Sequence, residues 1–367
     1  MLSADMEIIK KIGFNPYYGT EHNGFIDMSS NDYLGLRNHP LAITEAKKAL
    51  DKYGLSMCGT PIACGYSKLF AAAEMRLSEF VMLEAAIIFP SCYQANNGIF
   101  SALCNENDLI IFDKYSHSSL IQGIFSCKAK KNPFKHNDME HLETILARNC
   151  DKSNKIYVVT ESVFSTEGSI APFDRIVELC NKYGSTPVVD DSHGVGVIGK
   201  NGRGVLEHFN LRDFRGIYTA SLGKALANSG GMVGGKFNTI EYLRYYCSHL
   251  IYSTAITPPA LGGLNGILDV YESEFSERLQ KLWDYKKRIS VCNDMFMKSQ
   301  APINSLFCGE REKTVKIAKT LFENKILSTP FVEPSVPKDK CVVRLIANAG
   351  LTNEQVDKTC EVLCNII

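Results

Sequence analysis

Lys155-Ile-Tyr-Val-Val-Thr160, Phe173-Asp-Arg-Ile-Val-Glu-Leu-Cys180 and Thr186-Pro-Val-Val-Asp190 follow one another along the chain, and their order decides the fold. The first and third are short, continuous apolar runs. The second places Phe173, Ile176, Val177 and Cys180 at helical spacing, so Cys180 reads as a small buried hydrophobe. A strand, an amphipathic helix and a second strand, with the strands apolar on both faces, describe parallel neighbours covered on each side by helices. Working outward, Ala85-Ala-Ile-Ile-Phe89 and Asp108-Leu-Ile-Ile-Phe112 read as further strands of the same sheet. The expected fold is α/β, a mainly parallel central sheet with helices on both faces.

The far end changes character. A long charged helix is expected from about Leu264 to Met297. Short units follow: a strand near Ile303–Cys308, a helix near Thr314–Asn324, a strand over Val342–Ile346 and a last helix. Thr352-Asn-Glu-Gln355 has the form of a capping box for that helix. The sequence therefore divides into an N-terminal segment 1–40, a large domain 41–265 and a smaller C-terminal α+β domain 266–367. Two domains suit a chain of 367 residues.

Forty Lys and Arg residues balance forty Asp and Glu. That balance gives no electrostatic case for nucleic acid or an acidic membrane surface. No apolar run reaches the roughly 18 residues of a membrane helix. Met1 to Phe14 carries Asp5, Glu7, Lys10 and Lys11 and lacks the form of a secretory signal. Thirteen scattered cysteines contain no CxxC pair, so thiols are expected rather than disulfides or a metal site. Together these features predict a cytoplasmic protein.

The chemistry starts at Asp190-Asp-Ser-His193. Asp190 ends an apolar strand, and open α/β sheets bind ligands outside such ends. By itself the pair is equally well a helix cap and a surface histidine. Gly194-Val-Gly-Val-Ile-Gly199 fits the dinucleotide fingerprint letter for letter. No amphipathic helix follows it, however, and no acidic strand end comes about 20 residues later, so dinucleotide binding is set aside. In Ser221-Leu-Gly-Lys-Ala-Leu-Ala-Asn-Ser-Gly-Gly231 one lysine, Lys224, stands among small residues. A partly desolvated amine loses its proton readily, which suits Schiff-base chemistry. Pyridoxal phosphate asks for such an amine and for a carboxylate at its ring nitrogen. Lys224 and Asp190 follow that order along the chain.

The resemblance becomes specific when further segments are added. They are Ser29-Ser-Asn-Asp-Tyr-Leu-Gly-Leu36, Ser91-Cys-Tyr-Gln-Ala-Asn96, Ser116-His-Ser-Ser-Leu120 and His136-Asn-Asp-Met139. Thr160-Glu-Ser-Val-Phe-Ser165 with Gly168 and Ala171-Pro172, the run from Asp190 to Gly204, the Lys224 segment and Ile251-Tyr-Ser-Thr254 complete the set. With these motifs the chain resembles the α-oxoamine synthase family, which has the pyridoxal-phosphate fold of type I. The family joins an amino acid to an acyl-CoA with loss of CO₂.

Carried over to this sequence, the resemblance implies that Lys224 binds pyridoxal 5′-phosphate as a Schiff base and later moves the substrate proton. Asp190 would pair with the ring nitrogen, His193 and Ser165 with the ring hydroxyl, and His117 would stack on the ring. The backbone N–H groups of Cys92 and Tyr93, with Ser221, would hold the phosphate. Ser253 or Thr254 would reach the phosphate of a neighbouring subunit, which implies a homodimer with shared sites. Asn31 and Arg344 would hold the amino-acid carboxylate, Arg344 through its planar fork. Taken without the resemblance, His117 reads as an ordinary histidine, Arg344 as an ion-pair member and Asn31 as a turn cap.

The sequence departs from the family pattern on the substrate side. Thr60-Pro61-Ile62 and Phe70 replace polar residues, Leu351 stands where histidine is common, and the segment before Ser29 is short. The expected reaction joins a small amino acid to an acyl thioester, with alanine and a pimeloyl thioester foremost. Glycine with acetyl-CoA, a longer acyl chain, and simple amino transfer without CoA remain alternatives.

Overall fold

A computed structural model describes residues 23–366 of the chain. The stretch Met1 to Phe14, read above as lacking a secretory signal, lies outside the described residues. The fold separates into two compact units. The larger is Asp32–Ser165 with Ser169–Gln280; the smaller takes residues 23–31, Thr166–Gly168 and residues 281–366. Position 265 falls inside a continuous helix, Pro258–Ser290, and the units divide at Gln280. That helix starts earlier than Leu264 because Pro258 and Pro259 can open a helix, where a missing N–H costs nothing.

Strand β1 (Ile26–Asp27) belongs to the smaller unit. The larger unit is built on β2 (Ala85–Phe89), β3 (Leu109–Asp113), β4 (Lys130–Phe134), β5 (Ile156–Glu161), β6 (Thr186–Asp190), β7 (Ile217–Ser221) and β8 (Gly231–Gly235). These form one seven-stranded sheet in the order β2-β8-β7-β6-β5-β3-β4. Strands β7, β6, β5, β3 and β4 are mutually parallel, while β8 runs antiparallel to both β2 and β7. Every residue of β3 and β5 is buried, as two-sided coverage requires. Helix Phe173–Lys182 packs Phe173, Ile176, Leu179 and Cys180 inward, with Asp174 in its first turn and Lys182 in its last, where each complements the helix dipole.

Strand β8, Gly-Met-Val-Gly-Gly, carries no sequence signal for a strand because glycine is depleted in strands. Its glycines answer to space. A Cβ on Gly231 would lie 2.3 Å from both N and Cα of Cys92. Strand β3 runs one residue later than Asp108–Phe112. Asp108 instead closes the preceding turn, its carboxylate accepting the N–H groups of Asn105 at 2.9 Å and Lys155 at 3.1 Å.

The smaller unit holds β9 (Ile303–Gly309), β10 (Ile326–Leu327), β11 (Thr329–Phe331) and β12 (Cys341–Ile346). An antiparallel sheet runs β11-β12-β9, and β1 pairs in parallel with β10. Helix Arg311–Glu323 starts one turn before the expected Thr314. Helix Asn353–Cys364 carries the full capping box of Thr352 and Gln355. All thirteen cysteines are free thiols.

Candidate active site

Parallel strands end on one side of the sheet, so the residues closing β5, β6 and β7 are brought together. Register pairs Glu161 with Asp190 and Asp190 with Thr219, and Ser221 ends β7. Asp190 is buried. Its Oδ2 accepts from Nδ2 of Asn96 at 2.7 Å and its Oδ1 from the N–H of Ser192 at 3.0 Å. Ser192 Oγ in turn accepts the N–H of Ser221 at 2.8 Å, tying the end of β6 to the end of β7.

His117 caps helix Ser118–Ser126, just beyond β3. Its N–H donates to Glu161 at 2.5 Å, and its Nδ1 lies 2.8 Å from Ser119 Oγ. Burial holds the imidazole below the usual histidine range. Asp190 opposes that shift and Lys224 adds to it, so both act on this ring and the neutral form is favoured. Burial first, and Asp190 second, push the Cys92 thiol far up, against a smaller opposing effect of Lys224. Lys224 is partly buried within the turn that follows β7, and its carbonyl accepts the N–H of Ala227 at 2.8 Å. His193 is buried, and its Nδ1 lies 2.8 Å from the hydroxyl of buried Tyr33.

Ser91 caps helix Cys92–Leu103, its Oγ accepting from Gln94 N–H at 3.1 Å. The N–H groups of Cys92 and Tyr93 therefore open the helix, where N–H groups lack intrahelical acceptors and suit an anion. Gly231 passes directly beside them with no room for a side chain. Gln94 Nε2 donates to Ser253 Oγ at 3.1 Å, so the Ser253-Thr254 segment is anchored beside this helix start in its own chain. Ser165 follows β5, partly buried.

Asp191 is used differently. Its Oδ2 accepts the N–H of Val205 at 2.9 Å and the hydroxyl of Tyr218 at 2.8 Å, and burial pushes its carboxyl up to about 7. The dinucleotide-like glycines fold around it: a Cβ on Gly194 would fall 1.9 Å from Asp191 Oδ1.

Two expected residues lie in the smaller unit. Arg344 is buried at the middle of β12, opposite Ser305 and Thr329, with its guanidinium 4.8 Å from the Phe331 ring centroid. Asn31 has a buried Oδ1 with no hydrogen-bond partner among the described residues. In the larger unit, Pro61 opens a π-helical turn, Pro61–Gly65. Pro61 and Ile62 line a cleft of about 420 Å³ with Tyr66, Arg244, Leu250 and Ile251. Phe70 is fully buried with its ring 5.3 Å from that of Tyr66 and does not line the cleft. Leu351 is buried, its carbonyl accepting from Tyr285.

Sequence reasoning did not single out Tyr33, Asn96, Ser119 or Glu161. Each lies inside a quoted motif, so the motifs marked the right segments without saying which side chain did what.

A lysine after β7 and a carboxylate that closes β6, both acting on His117, on a sheet of this order, define the fold-type I pyridoxal-phosphate class. A family model described as aminotransferase class I and II matches residues 23–363. An 8-amino-7-oxononanoate synthase of Alkaliphilus metalliredigens (strain QYMF) is 37% identical over 341 residues, covering 92% of this chain and 86% of that protein. The serine palmitoyltransferase structure of Sphingomonas wittichii superposes with a TM-score of 0.94 at 26% identity, over 100% of this chain and 96% of that one. The 8-amino-7-oxononanoate synthase structure of Francisella tularensis gives 0.79 at 28% identity, over 93% and 97%. The chain belongs to the class I and II aminotransferase family and, within it, to the α-oxoamine synthases.

The cofactor of this family is pyridoxal 5′-phosphate, and the residues present fit it. The strand-end carboxylate, the nearby amine, the neutral imidazole and the helix start crowded by Gly231 supply the donors and acceptors that group needs. No helix among the described residues is long and apolar enough to cross a membrane.

Proposed function

We propose that the protein condenses alanine with a pimeloyl thioester, releasing CoA and CO₂ and leaving an α-amino ketone, the step that serves biotin synthesis. The observation that carries this reading is Asp190 at the end of β6, held by Asn96 and Ser192, together with Lys224 acting on His117. The 37% identity to a protein of that activity supports the choice of substrates.

Bound pyridoxal phosphate supplies an aldehyde for an amine and a ring that withdraws electrons. Asp190 would accept a hydrogen bond from the protonated ring nitrogen and so keep it charged. His193 and Ser165 would bind the ring hydroxyl, and His117 would stack on the ring. The N–H groups of Cys92 and Tyr93 and the hydroxyl of Ser221 would hold the phosphate. Lys224 would hold the cofactor through its amine and, once free, take a proton from the Cα of the amino acid. Arg344, through its planar fork, and Asn31 would bind the amino-acid carboxylate.

The protein acts as a homodimer, Ser253 or Thr254 of one subunit binding the phosphate held by the other. Exposed Ile62, Tyr66 and Tyr245, which line one cleft, support this, since clustered exposed apolar side chains mark an interaction surface. Free thiols throughout support a reducing, cytoplasmic location.

The test is kcat/KM for acetyl-, pimeloyl- and decanoyl-CoA, each with alanine and with glycine. Pimeloyl-CoA with alanine should lead, with modest discrimination among apolar chains, since a methylene is worth about 1–3 kcal/mol. Acetyl-CoA with glycine ahead by orders of magnitude would transfer the assignment to glycine acetylation.

A further inference from the structure

We propose that Asn96 is a positioning residue that locks Asp190 and His117 into one arrangement through a single side chain. Asn96 lies in helix Cys92–Leu103 and is fully buried. Its amide has one acceptor and two N–H donors. The acceptor, Oδ1, accepts a hydrogen bond from the Thr219 hydroxyl at 2.7 Å. Nδ2 donates to Asp190 Oδ2 at 2.7 Å and to Ser119 Oγ at 2.9 Å. The orientation is fixed: turned over, the amide would set its oxygen against the Asp190 carboxylate.

Ser119 Oγ accepts from Asn96, so its own proton is free to go to His117 Nδ1 at 2.8 Å. The N–H of Ser119 also points at that nitrogen, from 3.2 Å. His117 Nδ1 is therefore an acceptor, and the proton of the neutral ring sits on Nε2. One line of donors runs from Thr219 to Asn96 and branches, to Asp190 on one side and through Ser119 to His117 on the other. Strand β7, helix Cys92–Leu103, the end of β6 and the start of helix Ser118–Ser126 meet at this amide. A neutral amide suits the position better than a lysine or arginine would. It gives the carboxylate a hydrogen bond without a countercharge, so the negative charge remains available to a protonated ring nitrogen.

The proposal rests on the reading of Asp190 and His117 as the groups that face the cofactor. Its test uses the full-length protein carrying Asn96→Asp, Thr219→Val, Ser119→Ala or Asp190→Ala. The readouts are apoprotein melting, cofactor Kd by titration, the pH dependence of the bound cofactor's visible band, and kcat and KM. Asn96→Asp keeps the shape but sets two carboxylates about 2.7 Å apart, which must share a proton. We expect its cofactor Kd to rise about tenfold or more, a pH transition in the visible band that the wild type lacks, and a kcat loss of about tenfold with amino-acid KM little changed. Thr219→Val leaves the Asn96 acceptor without its hydroxyl partner and loosens the amide, and it should raise Kd and lower kcat in weaker form, without the new pH transition. Ser119→Ala cuts only the His117 branch and should leave the band's pH dependence as in the wild type. Wild-type Kd, band and kcat in both Asn96→Asp and Thr219→Val, with only melting altered, would overturn the proposal. A wild-type Kd and band in Asp190→Ala would remove the reading beneath it.

Discussion

Asp190 and Asp191 are neighbours, both buried, and they are given opposite tasks. Asp190 receives an amide and a backbone donor and presents its charge at the strand end. Asp190→Ala should fold yet lose most turnover, because a ring whose nitrogen is not kept protonated is a poor electron sink. A near-wild-type kcat in that variant would refute the role. Asp191 is sealed beneath the glycine turn, where burial raises its carboxyl from 3.8 to about 7. Between those values the native state holds a proton that the unfolded chain has released. Asp191 therefore costs stability progressively as pH rises from about 4 to about 7, and the cost is level above, on the order of a few kcal/mol. Asn at this position can still accept from Val205 and Tyr218 and carries no charge. Apoprotein melting of Asp191→Asn, followed from pH 5 to 7.5, should fall less steeply than that of the wild type. Parallel curves would show that Asp191 does not titrate in this range.

At the scale of elements, the apolar strands ending in a carboxylate or hydroxyl were legible, since Thr186-Pro-Val-Val-Asp fixes both the strand and its closing group. The bonds that tune those ends were not. Asn96 and Asp190 are 94 residues apart and Tyr33 and His193 are 160 apart, and no local pattern encodes such pairings. Strand β8 escaped for a different reason. Its first glycine, Gly231, is set by the backbone of Cys92, and Gly234 by the Leu83 side chain, tertiary demands that override β-propensity. Gly231→Ala should push the helix start away. We expect a loss of about 1–3 kcal/mol in stability from overpacking, and a cofactor affinity reduced by more than stability alone accounts for. Equilibrium unfolding of the apoprotein beside cofactor titration separates the two. An unchanged Kd would show that the cradle at Cys92 and Tyr93 is not where the phosphate sits.

For the whole molecule, the exposed tyrosines near Tyr245 and Tyr252 should be covered by a second subunit. Light scattering should give a dimer at working concentration, and Tyr252→Asp should weaken it and lower cofactor affinity together. Full turnover by a monomer would exclude shared sites. The molecule's claim on acyl transfer, rather than amino transfer, is decided by the fate of the carboxyl carbon. Holoprotein given carboxyl-labelled alanine and pimeloyl-CoA should release labelled CO₂ and free CoA in equal amounts, and Lys224→Ala should release neither. Transfer of the amino group to the cofactor, with no labelled CO₂ from any acyl thioester in the panel, would contradict the account.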